Sequence, residues 1–191
     1  MLDKNHNQSS TIGISQVRKY LDDNTLTSVL CGEPFVKAAF LSKLIDEIDT
    51  SIIYLDFDLL YSGYVKSEML LKNSRVFLFT PSKNDWNHIL KKILLMMLNQ
   101  RFTVIIDSLN GLYNLFDDKD AGRLVNAYIM LLIFVAKESG SSVILSSIVR
   151  KKEKDGWVLS PTGRHIIDTK MTRLYLKKHD SELIIDVIRD D

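Results

Sequence analysis

Read for its spacing of apolar and polar positions, the chain alternates between two periods. Four runs, Thr27–Cys31, Ser51–Phe57, Phe102–Ile106 and Ser142–Ser146, are almost unbroken in Val, Ile, Leu and Phe. Strands that keep no polar alternation are buried on both faces, as in a parallel sheet covered by helices. A shorter run, Arg75–Phe79, predicts a fifth strand. Between these lie helical patterns over Ala38–Ile48, Trp86–Asn99 and Ala121–Glu138, the last stopped by Gly140. Strand and helix in turn predict an α/β fold, three layers α/β/α around a mostly parallel sheet. Thr172–Lys177 and Glu182–Ile188 flank His179-Asp180-Ser181 and predict a hairpin, so the sheet should end in antiparallel strands. No repeat or low-complexity linker interrupts the pattern. At 191 residues the chain is expected to form one domain, with residues 1–24 a polar N-terminal segment that frays over Met1–Thr11.

Composition narrows the classes. Apolar content of 46% and charged content of 26% are those of an ordinary globular protein, and a net charge of +1 gives no global attraction to nucleic acid or membrane. Cys31 is the single cysteine, in a strand pattern, so neither a disulfide framework nor a cysteine metal site is expected. His6, His88, His165 and His179 lack metal-ligand spacing. The longest apolar patch, Tyr128–Ala136, falls short of the about 20 residues of a membrane span, and Ile129–Val135 is apolar all round, predicting a helix buried on more than one side. No secretory signal is seen; the expected compartment is the cytoplasm.

Candidate chemistry starts at Gly32-Glu33-Pro34-Phe35-Val36-Lys37-Ala38-Ala39. This segment sits between a strand and a helix, where a phosphate-binding G-x-x-x-x-G-K-[ST] loop would lie. Without a gap, Lys37 falls on the second glycine, Ala38 on the lysine and Ala39 on the hydroxyl. A one-residue deletion returns Lys37 to its role but leaves Val36 and Ala38 where Gly and Ser/Thr belong. Either way the magnesium hydroxyl is missing. Phe35 and Val36 are bulky where backbone would have to approach phosphate. Gly32, Glu33, Pro34 and Lys37 are therefore a degenerate nucleotide-binding set. Lys37 reads as an anion contact at a helix start or as a solvated first-turn lysine.

Set in order, five segments resemble the RecA/RadA superfamily, in particular its short archaeal RadA-like and KaiC-like paralogues. They are Ile53–Asp58, Val76–Ser82, Val104–Leu109, Val143–Ser147, and Gly163–Ile167 with Thr172–Lys178. The resemblance spans roughly residues 25 to 189. It implies a RecA-like fold and places Asp107 at the magnesium-binding strand end, Asp58 at the catalytic glutamate and Ile148 at a polar sensor. Asp107 has a plain alternative as a cap of the next turn. Asp58 is one methylene shorter than glutamate, and a water 1 Å out of place can cost about 100-fold in rate.

The same resemblance puts a DNA-contacting loop at Arg150-Lys151-Lys152-Glu153-Lys154-Asp155-Gly156-Trp157, with Arg164, Lys170, Arg173, Lys177 and Lys178 extending the cationic bias. Cations beside an aromatic suit a single-strand groove with a stacking platform; the plain alternative is a solvated loop, with Trp157 in the core. The resulting expectation is a protein that binds rather than hydrolyses, with no required cofactor beyond weak ATP/Mg binding. It would be an accessory factor in DNA recombination or repair, or a structural subunit of a homo- or hetero-oligomer of RecA-fold proteins. A weak ATPase or ATP-sensing switch is one alternative. Another is a subunit resembling the RecA-fold ring of the Elongator complex, contacting tRNA.

Overall fold

The computed structural model describes residues 10–23, 25–116, 120–153, 156–160, 162, 171–180 and 182–188. The elements run β1 (Ser10–Ile12), α1 (Ile14–Asp23), β2 (Leu26–Cys31), α2 (Pro34–Glu47), β3 (Ser51–Asp56), α3 (Leu60–Lys66), β4 (Val76–Phe79), α4 (Trp86–Asn99), β5 (Phe102–Asp107), α5 (Leu109–Asn114), α6 (Ala121–Ser139), β6 (Ser142–Lys152), β7 (Gly156–Leu159), β8 (Thr172–His179) and β9 (Glu182–Ile188). The main sheet has the order β1-β9-β8-β2-β6-β5-β3-β4, and β7 pairs with β6 off this path. From β8 to β4 every neighbour is parallel, whereas β9 is antiparallel to both β8 and β1.

Successive residues of the central strands feed two cores, which is why the strands read as unbroken apolar runs. Ile53, Leu55, Val104 and Ile106 face a cluster closed by α4, α5 and α6. Ile52, Tyr54 and Ile105 face one closed by α1, α2 and α3. The mostly parallel sheet with antiparallel C-terminal strands is thus as expected. Among the described residues no helix is long and apolar enough to cross a membrane.

Four expectations are corrected. Of the segment expected to fray, Ser10 and Thr11 pair with Val187 and Asp186, because β9 would otherwise be an open edge, and residues 1–9 lie outside the described residues. β6 continues past Ser146 to Lys152, so Arg150–Lys152 lie in a strand rather than a loop; backbone pairing with β7 carries it, and that pairing is indifferent to side-chain charge. The helix after β2 begins at Pro34, four residues before the apolar pattern does, since proline at the first helical position lacks only an N–H that would go unused there. Finally, the patch expected to be buried on more than one side packs one face, with Ile129, Leu132 and Val135 buried, and leaves Met130, Leu131 and Phe134 exposed.

Candidate functional site: a lysine held between two aspartates

The ends of β2, β3 and β5 lie side by side in the sheet, with β6 between β2 and β5, and their C-terminal loops converge. Only Gly32 and Glu33 separate β2 from α2. Glu33 caps the helix with extended backbone and no side-chain bond; its N–H approaches the Cys31 sulfur at 3.4 Å, while the Cys31 thiol donates to the Glu33 carbonyl at 3.2 Å. Burial is the main reason the Cys31 thiol is pushed up from its ordinary pKa. Pro34 has no N–H to offer an anion. Phe35, 71% exposed, projects into solvent.

Lys37 is one turn into α2 and is 0% exposed. It is not a solvated lysine: its position on the helix turns the side chain inward beneath the strand ends. There its ammonium donates to Asp58 Oδ2 at 2.6 Å and forms an ion pair with Asp107 Oδ1. Burial alone would drive the Lys37 pKa down; the Asp107 and Asp58 carboxylates outweigh it and hold the pKa above the usual lysine value.

Asp107, at the end of β5, is buried and its carboxylate holds three partners. Besides Lys37, Oδ1 accepts from the Ser146 hydroxyl at 2.9 Å, and Oδ2 accepts from the Tyr54 hydroxyl at 2.6 Å. Its carbonyl takes the N–H groups of Phe57 (2.7 Å) and Asp58 (3.3 Å), which folds the loop after β3 against β5 and delivers Asp58 to Lys37. Asp107 does not cap the next turn. Ser108 does so, its hydroxyl accepting from the Gly111 N–H at 3.3 Å.

Asp56 lies directly across the β3–β5 ladder from Asp107. Its Oδ2 accepts from the Ser62 N–H at 2.6 Å, and Oδ1 has no hydrogen-bond partner among the described residues. Burial pushes the Asp56 carboxyl up, the Ser62 N–H pulls against that, and Asp107 and Asp58 add to the rise. The cluster is thus one cation among three carboxylates, one of them held closer to its neutral form.

Gly111 sets how closely α5 approaches this loop. A Cβ there would lie 2.5 Å from Asp58 Oδ1, 2.6 Å from Phe57 Cβ and 3.1 Å from the Phe57 carbonyl carbon. Its neighbour Asn110 fixes β6: Oδ1 accepts from the Ile148 N–H (2.8 Å), and Nδ2 donates to the carbonyls of Ile148 (3.0 Å) and Ser160 (2.8 Å). Ile148 therefore offers backbone, not a polar side chain, at this end of β6.

Three solved structures share this architecture. A RadB recombinase superposes with a TM-score of 0.60 over 87% of this chain and 81% of that one, at 19% identity. A second structure, an ATPase domain, gives 0.58 over 86% and 76%, at 12% identity. The fold is RecA-like. A DnaB-like replicative helicase, described in its interactions with primase, matches this RecA-like chain at 0.58 and 15% identity, over 84% of this chain and 50% of its own. No protein-family model and no curated protein matches the sequence. At these identities the likeness concerns the fold.

Within the RecA-like frame, the structure brings Lys37, Asp58 and Asp107 together and sets Gly32, Glu33 and Pro34 at the entry to α2. Tyr54, Ser146, Asn110 and Gly111 belong to the same cluster, and the sequence patterns do not single them out. One signal was present: a tyrosine hydroxyl or serine inside an apolar strand needs a partner when buried.

The basic segment is a separate region. Lys151 sits opposite Trp157 in the β6–β7 ladder, whereas Arg150 and Lys152 alternate to the other face. Arg150 and Lys151 are at the exposed end of β6. Trp157 is half-buried, with its ring 4.4 Å from that of Tyr175, so part of its aromatic surface is already covered. Lys177 lies over the Tyr175 ring at 5.2 Å and pairs with Asp186 at 2.5 Å. Lys154, Arg164, Lys170 and His165 lie outside the described residues, as does His6. Among the described residues no cluster of His, Cys, Asp and Glu could hold a metal ion.

Proposed function

We propose that this is a non-catalytic RecA-fold protein that acts by binding, as an accessory factor in DNA recombination or repair or as a structural subunit of an assembly of RecA-fold proteins. The observation that carries the reading is the buried Lys37 ion pair. Lys37, the lysine at the phosphate-loop position, is held by two carboxylates, and the Asp107 carboxylate is engaged by Lys37, Ser146 and Tyr54. Phosphoryl transfer requires those groups on the nucleotide and its metal. The entry adds only two residues before a proline, too little backbone to wrap a triphosphate. The cluster is then a structural core inherited in place of an ATP site, and no cofactor is needed.

One observation favours the second reading, an ATP-sensing switch or slow ATPase using Lys37, Asp58 and Asp107. A Cβ at Gly32 would meet no protein atom within 4 Å, so packing does not explain that glycine.

The nucleic-acid half of the reading rests on the β6–β7 hairpin, with Arg150, Lys151, Lys152, Trp157 and, outside the described residues, Lys154 and Arg164. Titration of labelled single-stranded and duplex DNA and RNA at about 50 and 200 mM salt tests it. The expected result is single-strand binding that weakens with salt and falls about tenfold or more in the Lys151→Ala/Lys152→Ala double variant. Absence of binding at the lower salt, or affinity unchanged in the variant, removes the hairpin from the account. A clear preference for structured RNA moves the reading to the Elongator-like alternative.

A further inference from the structure

The outer layer formed by α4 and α6 carries a surface that the lysine cluster does not use. The two helices pack side by side, the Trp86 ring edge-on to Tyr128 at 5.6 Å. Both turn apolar side chains to solvent: Leu95 and Leu98 on α4, and Leu124, Met130, Leu131 and Phe134 on α6, with Phe134 63% exposed. From Leu124 to Ala136 not one side chain of α6 is charged. Leu124, Ala127, Leu131 and Phe134 repeat at three- and four-residue steps, the spacing of a helix–helix seam. Singly exposed leucines need no explanation, but a stripe of this kind marks an interaction site.

The rim states what covers it. The charged residues of α4 are Lys91 and Lys92; those of α6 are Arg123, Lys137 and Glu138. Arg123 is already paired with Asp120, the N-cap of α6, at 3.1 Å, which leaves Lys91, Lys92 and Lys137 against Glu138, +2 on two helices, against +1 for the whole chain. A second copy of this chain would set +2 against +2. An acidic partner would be attracted, and two adjacent helices leave a groove that seats a third.

We infer that the α4–α6 face docks an amphipathic helix of another protein, apolar on the stripe that meets Leu131 and Phe134 and acidic along the flank that meets Lys91 and Lys92. Recognition is of the helix-in-groove kind, with anchors at i, i+3, i+4 and i+7. It is independent of whether Lys37 ever meets a nucleotide.

The test uses the full chain and a fluorescent peptide of about 18 residues, five helical turns, with leucine at the seam positions and glutamate on both flanks. Two controls have the same composition scrambled, and lysine in place of glutamate. The expected result is anisotropy-detected binding of the acidic helix that weakens with salt, with about tenfold or weaker binding of either control. Leu131→Ser/Phe134→Ser should weaken it by about 30-fold, the size of a hot-spot loss, with the circular dichroism spectrum and melting profile retained. Lys91→Glu/Lys92→Glu should weaken the acidic peptide and strengthen the lysine control. Equal affinity for acidic and scrambled peptides overturns the inference. So does concentration-dependent dimerisation abolished by Leu131→Ser/Phe134→Ser, which makes the face a self-contact. Stronger binding to phosphatidylserine vesicles than to the acidic helix makes it a membrane-docking face instead and likewise overturns it.

Discussion

Replacing Lys37 by methionine should lower the free energy of unfolding by about 3–5 kcal/mol, the cost of leaving buried carboxylate charge without its partner. The side chains are similar in length, so packing is largely kept and the loss is electrostatic. Asp107 remains fully buried beside Tyr54 and Ser146, and Asp58 loses its 2.6 Å contact. A lysine kept only for nucleotide would behave differently, its removal abolishing ligand binding while leaving the apo fold nearly as stable. The pH dependence has a defined sign. Because the folded Lys37 pKa lies above its ordinary value, its contribution is complete below the unfolded value of about 10.4 and is lost as pH rises through the folded one. Urea unfolding of both proteins should therefore show a constant difference at neutral pH that narrows in the alkaline range. A Lys37→Met protein within about 1 kcal/mol of the wild type at neutral pH would remove the structural role.

Gly111→Ala should destabilise the protein by about 1–3 kcal/mol, the usual cost of overpacking. The sign is the informative part. In an ordinary helix interior, glycine to alanine stabilises by about 1 kcal/mol, and α5 is helical at this position. Here the new methyl would sit 2.5 Å from Asp58 Oδ1 and 2.6 Å from Phe57 Cβ, so the loop after β3 must move. Moving it draws Asp58 away from Lys37. The two substitutions share one interaction, so Lys37→Met with Gly111→Ala should cost less than the sum of the singles by at least about 0.5 kcal/mol. Strict additivity, or a Gly111→Ala protein more stable than wild type, would show that α5 does not position Asp58.

The central strands and long helices were legible because their signal is redundant: Ile52–Leu55 and Val104–Ile106 are apolar whichever face is considered, and α4 ends where its pattern ends. Short elements were not. β1, α3 and α5 are set by what they pack against: Ser10–Ile12 exists because β9 needs a neighbour, and α5 because Ser108 caps it beneath the strand ends. The site was half legible. Lys37, Asp58 and Asp107 stand out as residue types at strand and helix ends, but nothing local says that a first-turn lysine is buried. That follows from three separate loops meeting, tied by the Asp107 carbonyl and by the close approach of Gly111. In the basic segment, charge suggested a loop where backbone pairing makes a hairpin, and the alternation of that hairpin divides Lys151 from Arg150 and Lys152.

We propose that Lys37, Asp58 and Asp107 satisfy one another and leave no productive place for nucleotide. Isothermal titration of the full chain with Mg-ATP, carried to millimolar nucleotide, measures this most directly. The wild type should give no saturable heat. Saturable binding at micromolar Mg-ATP that disappears in Lys37→Met would contradict it, because the ion pair would then be a resting state that nucleotide displaces.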